Sequence, residues 1–542
     1  MNATLFRGGG VFDGCRHRSG QAVLVRDGRI EAVLPETEAR GVGAGVTTVD
    51  LDGGLLAPGF IDAHVHAVQG GLERIRCDLS AVHTREGYRA AFAAYAEAHP
   101  DLDWLLGGGW SMAAFPDCRA TAAELDAVVA DRPVFLLNRD HHGAWVNTRA
   151  MQLAGIDRRT PDPGDGHLDR DGNGTPTGVL HEGAMNLVGT LLPSSDPEEY
   201  DRAFVEAQRF LLSLGVTGWQ DAILGSYAGL DDPSEVYLRA ATDGTLTATV
   251  TGALWWERER GADQIADLVA RRQRFTHGRL RAGSVKIMAD GIVENGTAAM
   301  TEPYLDRFGN ATGNTGRSFI EAAALAEYVV ALADARFQVH VHAIGDRAVH
   351  EALDALAAAQ GHGADLRHHI AHLQLVQPDD VRRFAALGAS ANIQALWACL
   401  DEQMTELTLP FLGAERAAWQ YPFGDLARAG ARLVAGSDWP VSNPDPLAAI
   451  HVAVNRTAWD TDGPAGHDPF LPEQVLSLEQ AFAAYTSGSA YVNHRDDAGR
   501  IEPGCVADLV VLAPDPFTGP PQDIGRTVAQ STWIDGVRVH DG

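Results

Sequence analysis

Residues 321–342 read EAAALAEYVVALADA, then R, then FQVHVH, and this stretch decides the fold. From Glu321 to Ala335, alanine, leucine and valine recur at helical spacing, whereas Phe337 to His342 alternates as a strand does. A second unit follows directly. Asp346 to Ala359 has the helical period and Arg367 to Leu375 the strand period. Pro378 then suits the first turn of a helix ending near Gly388, before a strand from Ala389 to Gln394. Gly424 to Gly430 followed by Ala431 to Gly436 repeats the pattern once more. Strands alternating with helices build a parallel sheet. Repetition from about residue 200 to 490 predicts a (β/α)8 TIM-like barrel, an α/β fold.

Outward from this core the texture changes. The first 58 residues read as short strands (Leu5–Phe6, Ala22–Val25, Ile30–Leu34, Thr47–Leu51) with Asp27-Gly28 as a hairpin turn and no need of a helix. The other end matches, with strands at Ala507–Leu512, Ser531–Ile534 and Val537–Val539, broken by Pro514 and Pro516. Residues 1–58 with 496–542 are therefore expected to form one small composite β-sandwich, and 59–495 the barrel. Residues 70–195 interrupt the barrel pattern with Gly-, Asp- and Pro-rich segments such as Pro161–Gly166 and Asp169–Gly174. A structureless loop of that length is implausible, so an inserted α+β subdomain is expected just after the first barrel strand, over the active-site face.

Composition bounds the function. Of 542 residues, 45% are apolar and 21% charged, as in soluble globular proteins, so collagen-like, coiled-coil and disordered classes are excluded. Acidic residues exceed basic ones, 72 to 43, and the net charge of −29 opposes binding to nucleic acid or anionic lipid. The five cysteines are scattered, without a C-x-x-C pair, which argues against a disulfide framework and for a reducing cytosol. The opening residues lack a signal-peptide pattern and no run of about 18 apolar residues occurs, so a cytoplasmic location is expected. Gly8-Gly9-Gly10 lacks the lysine and helix of a phosphate loop.

The chemistry is concentrated in histidines. In Phe60-Ile61-Asp62-Ala63-His64-Val65-His66 the two imidazoles share one strand face, where they either grip one ion or are separately satisfied. His342, His372 and Asp438 each fall at the C-terminal end of an expected strand, the end where barrel active sites are built. Imidazole and carboxylate together suit Zn²⁺. Lys286, inside the apolar strand Ser284–Met288, is costly to bury as a free cation, so it is either paired with a carboxylate such as Asp290 or chemically modified.

With Pro58-Gly59 before the H-x-H strand, these residues resemble the amidohydrolase superfamily. Gly108-Gly109-Trp110, Val146-Asn147, Gly178–Glu182, Lys286–Gly291, His342–Asp346 and Gly436–Pro440 are similar to the amidohydrolase 3 group, to which N-substituted formamide deformylases belong. The resemblance covers nearly the whole chain, including the closing stretch Ile501–Leu509. It implies hydrolysis of a carbon–nitrogen bond, other than a peptide bond, in a small-molecule amide. It further implies two zinc ions per chain: one on His64, His66 and Asp438, one on His342 and His372, bridged by a carboxylated Lys286. A metal-bound hydroxide would attack the carbonyl while Asp438, the catalytic residue, moves its proton to the leaving nitrogen. With Lys286 unmodified, one metal on His64, His66, His342 and Asp438 is the alternative, as in a hydrolytic deaminase. A non-catalytic metal-binding protein on the same scaffold is the other.

The remaining candidates carry weaker signals. His142, in the inserted segment, is either a substrate contact or a solvated loop residue. Trp110 and Trp439 are candidates for an apolar substrate pocket, with core packing the other reading for Trp110. Glu182, Asp290 and Asp346 are candidates for orienting ligands or for structural ion pairs. His340, one step deeper than His342, reads as a packed, hydrogen-bonded histidine. Ala371 stands where the group usually has an acidic residue. No protein partner is indicated, although a homo-oligomer is compatible with the chain.

Overall fold

The structure, a computed structural model, describes residues 3–39, 41, 45–459 and 468–542. Eight parallel strands form its centre: β1 (Phe60–Val65), β2 (Val216–Leu224), β3 (Thr249–Trp255), β4 (Leu280–Met288), β5 (Gln338–Ala343), β6 (His369–His372), β7 (Ser390–Ile393) and β8 (Arg432–Ala435). They are hydrogen-bonded in sequence order from β1 to β8. The sheet closes where β1 and β8 end, through Asp438 N to His64 O (2.7 Å) and His66 N to Trp439 O (2.8 Å). A Cβ on Gly436 would come within 2.5 Å of His64 N, so this closure needs a glycine. This is the expected TIM-like barrel.

Helices cover the strands as their patterns dictate. Ala322–Asp334 buries Leu325, Val329 and Leu332, and Asp346–Ala358 buries Val349, Leu353 and Leu356. Both join one continuous core with Val339, Val341 and Ile370 of the barrel. One strand is shorter than its sequence pattern. The expected Arg367–Leu375 contracts to His369–His372, because positive φ at Arg367 delays its start and positive φ at its last residue, His372, and at Leu373 ends it.

The chain ends share one sheet. Leu55–Pro58 pairs in parallel with Gly10–Phe12 on one side and antiparallel with Leu509–Ala513 on the other. A four-stranded sheet of Ala3–Arg7, Gln21–Arg26, Arg29–Pro35 and Thr47–Asp50 packs on it through Phe6, Val23, Leu56, Val511 and Trp533. One helical turn, Glu36–Ala39, occurs where none was expected.

After β1 the chain forms a helix, Ala67–Ile75, whose Val68 and Leu72 pack with Ala203 and Ala207 of the helix Pro197–Ser213. Only then does a separate six-stranded mixed sheet begin, running from Cys77–Asp78 to Pro176–Glu182, with the helix Arg85–Ala98 beside it. Its two cores are built around Trp110 and Trp145 and around Leu137 and Leu180. No helix among the described residues is long and apolar enough to cross a membrane.

Candidate active site

The C-terminal ends of the barrel strands converge on a buried cluster. His64 on β1 and His66 just past its end lie two residues apart, and one oxygen of Asp438, Oδ1, lies 3.0 Å from Nε2 of each. Donor atoms of His64, His372 and Asp438 all lie within 4.8 Å of one another, close enough for a single ion. The His372 ring lies 4.7 Å from that of His64 and 4.4 Å from that of His342. His372 therefore stands between His64 and His342. From β4, Lys286 reaches in with Nζ 3.3 Å from His64 Nε2.

The electrostatics favour donors in their ligand forms. Burial lowers His64 to about 3 and pushes His342 and His372 well below the usual imidazole range, with Lys286 opposing protonation at all three. Burial lowers Lys286 to about 7, with Asp438 pulling the other way. For Asp438, burial is outweighed by His64, His66 and His372, which hold it well below the ordinary carboxylate value. The Nδ1 atoms of His66 and His372 are buried without a hydrogen-bond partner. Neutral imidazoles, an ionised carboxylate and unmet buried nitrogens make this donor set fit a divalent metal.

Supporting groups lie beneath. His340 Nε2 is 3.0 Å from His64 Nδ1, which leaves His64 Nε2 turned toward Asp438. His340 is thus buried and hydrogen-bonded, against His369 with rings 4.0 Å apart. Asp62 was not singled out from the sequence. Its Oδ1 accepts the amides of His64 (3.0 Å) and Ser437 (3.1 Å), tying β1 to the exit of β8. Its only sequence signal was its place two residues before the first histidine.

The candidates from the inserted segment separate into two groups. His142 reaches the cluster, with its ring 5.6 Å from that of His342. Glu182 accepts from His142 Nδ1 (2.8 Å) and from Thr297 Oγ1 (2.8 Å). Burial alone would lower His142, but the Glu182 carboxylate pushes it up to about 9. Neighbouring His141 faces Glu73 at 2.5 Å, the charges close but not in hydrogen-bond alignment. Glu73 was missed because it reads as an ordinary helix acid.

Trp110 requires correction. It is fully buried in the extra sheet against Phe115 and Trp145, with Nε1 donating to Leu136 O (2.9 Å), so it does not line the cleft. Its large apolar ring is drawn into a core of its own. Asp346 also turns away. It accepts from Thr301 N (3.1 Å) and Gln377 Nε2 (2.7 Å) at a helix start. Asp290 takes three amides, those of Ala299, Ile344 and Gly345, and lies 3.7 Å from His342 Nε2. Burial pushes it up to about 8. It holds the loops after β4 and β5 together beside His342 rather than pairing with Lys286.

Above the cluster opens a cavity of about 680 Å³, with His142, His342, His372 and Asp438 at its floor and Trp397 and Trp439 among its walls. Trp397 stacks on His372 at 5.4 Å and 8°. A metal-ready cluster of imidazoles and carboxylate at the C-terminal mouth of a barrel, under an aromatic-walled cavity, is a hydrolase arrangement. Residues 47–540 match the model of the Amidohydrolase family.

The chain belongs to the amidohydrolase family.

Among its relatives, Protein LONG AFTER FAR-RED 3 of Arabidopsis thaliana is 30% identical over 539 residues, 96% of this chain and 88% of that one. The N-substituted formamide deformylase of Arthrobacter pascens is 27% identical over 550 residues, 96% and 95% of the two chains. A solved structure, an uncharacterized metal-dependent hydrolase from Pyrococcus furiosus, superposes with a TM-score of 0.71 at 25% identity, covering 95% of this chain and all of that one. The protein is an amidohydrolase-family member that shares its fold with a metal-dependent hydrolase and carries a His/Asp group able to hold an ion.

Proposed function

We propose that this amidohydrolase cleaves the carbon–nitrogen bond of a small-molecule amide, with N-substituted formamides as the first compounds to test. What carries this reading is the convergence of His64, His66, His342, His372, Lys286 and Asp438 at one barrel end. The full-length similarity to a formamide deformylase supports the substrate class. His64, His66 and Asp438 would hold one divalent metal and His342 and His372 a second, Zn²⁺ being suited to both sets. Such metals supply Lewis acidity, lowering the pKa of water and polarising a carbonyl oxygen.

This chain's residues do the rest. With its amine lowered to about 7, Lys286 is partly neutral at physiological pH, and the neutral amine is the form that would take up CO₂ as a carbamate with loss of a proton. Asp438, ionised and facing both His64 and His66, accepts the proton of the attacking water and delivers it to the departing nitrogen. His142, with Nδ1 held by Glu182, keeps Nε2 for a substrate oxygen. Trp397 and Trp439 offer flat apolar walls for the substituent on nitrogen.

Metal analysis of the purified protein together with a panel of formamides and other amides tests this. Two zinc per chain with turnover is the expected result. One ion with an unmodified Lys286 and deaminase activity would replace it with the mononuclear reading, and metal binding without any turnover with the non-catalytic one.

A further inference from the structure

Imidazole and carboxylate donors also meet in a second place, on the hairpin of Gly166–Arg170 and Pro176–Glu182 at the edge of the extra sheet. His167 lies directly opposite His181 in the antiparallel register, and their rings stack at 4.5 Å and 19°. Asp169 is two residues beyond His167, on the same face. The register slips between Leu168 and Arg170, so Asp169 has no ladder partner of its own. Its Oδ1 stands 3.4 Å from His181 Nε2 and 4.0 Å from His167 Nε2. All three donors lie within 4.8 Å of one another.

Donors bound at the usual zinc distances around a tetrahedral ion sit about 3.3 Å apart. The His181–Asp169 edge already has that length. His167, whose side chain is about one-third exposed, has room to close the remaining gap. His181 is buried, and Nε2 is the ring nitrogen that it turns toward Asp169. We propose that His167, Asp169 and His181 form a further divalent-metal site, of Zn²⁺-like preference, with a fourth position open to water.

The surroundings suit a cation. Burial and the neighbouring His181 hold His167 below its ordinary value, toward the neutral ligand form, while Asp169 and Asp162 oppose this. Burial would raise Asp169, but His181 and His167, with Arg119 beside them, hold it ionised. Borderline first-row ions prefer a His₂-carboxylate set, whereas Mg²⁺ and Ca²⁺ prefer oxygen. Such an ion would pin the strand that ends at Glu182, the partner of His142. The site would thus brace the hairpin beside the barrel cleft without touching substrate.

Co²⁺ titration followed by visible absorption tests the proposal, in the wild-type chain, in His64→Ala/His66→Ala and in His167→Ala/Asp169→Asn. The barrel variant is expected to bind one Co²⁺ equivalent more, with tetrahedral absorption bands, than the same variant carrying His167→Ala/Asp169→Asn as well. The hairpin variant is expected to bind one equivalent fewer than wild type and to lose the metal-dependent rise in Tm assigned to the hairpin. Equal stoichiometry in wild type and the hairpin variant overturns the proposal, whatever the barrel cluster binds. Should the barrel variant fail to fold, the comparison of wild type with His167→Ala alone decides, since His167 is partly exposed and its loss leaves the buried core intact.

Discussion

His64 and Asp438 meet twice: Asp438 N donates to His64 O at 2.7 Å, and Asp438 Oδ1 lies 3.0 Å from His64 Nε2. The same contact closes the barrel and aims a carboxylate at the cluster. Barrel geometry and donor geometry therefore depend on one another at this point, where Asp438 holds a positive φ of 59° to make the turn.

Replacing Asp438 by asparagine keeps the backbone contact and removes the carboxylate. Turnover of any responsive amide should fall by about 10³-fold, in line with the loss of a general acid–base group. Circular dichroism and Tm should stay close to wild type. Retained turnover would show that proton transfer uses another group.

Lys286→Met removes the amine but keeps an apolar stem in the strand. Bound zinc should drop by about one equivalent per chain in elemental analysis. In the wild type, ¹³C-bicarbonate should yield a carbamate resonance that is absent from the variant. An unchanged zinc content would exclude a bridging role for this residue.

Glu182→Gln keeps the shape of the His142 contact and loses its charge. A charge-assisted hydrogen bond of this kind is worth about 1.5–3 kcal/mol, so kcat/KM should drop by roughly 10–100-fold. Metal content should be unchanged, because neither residue belongs to the donor cluster.

Asp221, opposite Val65 in the barrel register but outside the donor cluster, provides a pH test. Burial pushes it up to about 7, against hydrogen bonds from Tyr237 Oη and the Ile223 amide. A carboxyl with a folded pKa above its unfolded value of about 3.9 holds its proton more tightly when folded. Its contribution to stability therefore declines as pH rises from about 4 through 7. Asp221→Asn cannot ionise, so the Tm of the variant relative to wild type should increase across that window. A difference independent of pH between 4.5 and 8 would count against the assignment.

Trp110→Ala separates core from cleft. Emptying a fully buried indole site should cost about 3–5 kcal/mol and lower Tm, while KM of the surviving folded protein stays near wild type. A selective rise in KM with unchanged stability would return Trp110 to the substrate pocket.

The alternation of helical and strand periods from Glu321 onward was enough to specify a parallel barrel, because amphipathic spacing is a local property of the chain. The H-x-H pair was equally legible, since a strand places residues two apart on one face whatever surrounds it. What packs against what was not local. That Trp110 is drawn into the core of the extra sheet, that Asp346 turns toward Gln377, and that Asp62 ties His64 to Ser437 all depend on which segments the closed barrel brings together. His64, Lys286, His372 and Asp438 are far apart in sequence, and only closure of the sheet places β1 beside β8 and their ends around one cluster. The residue types were written in the chain, while their burial, which lowers the lysine amine to about 7 and leaves imidazole nitrogens unpaired, was decided by the tertiary structure that excludes water from them.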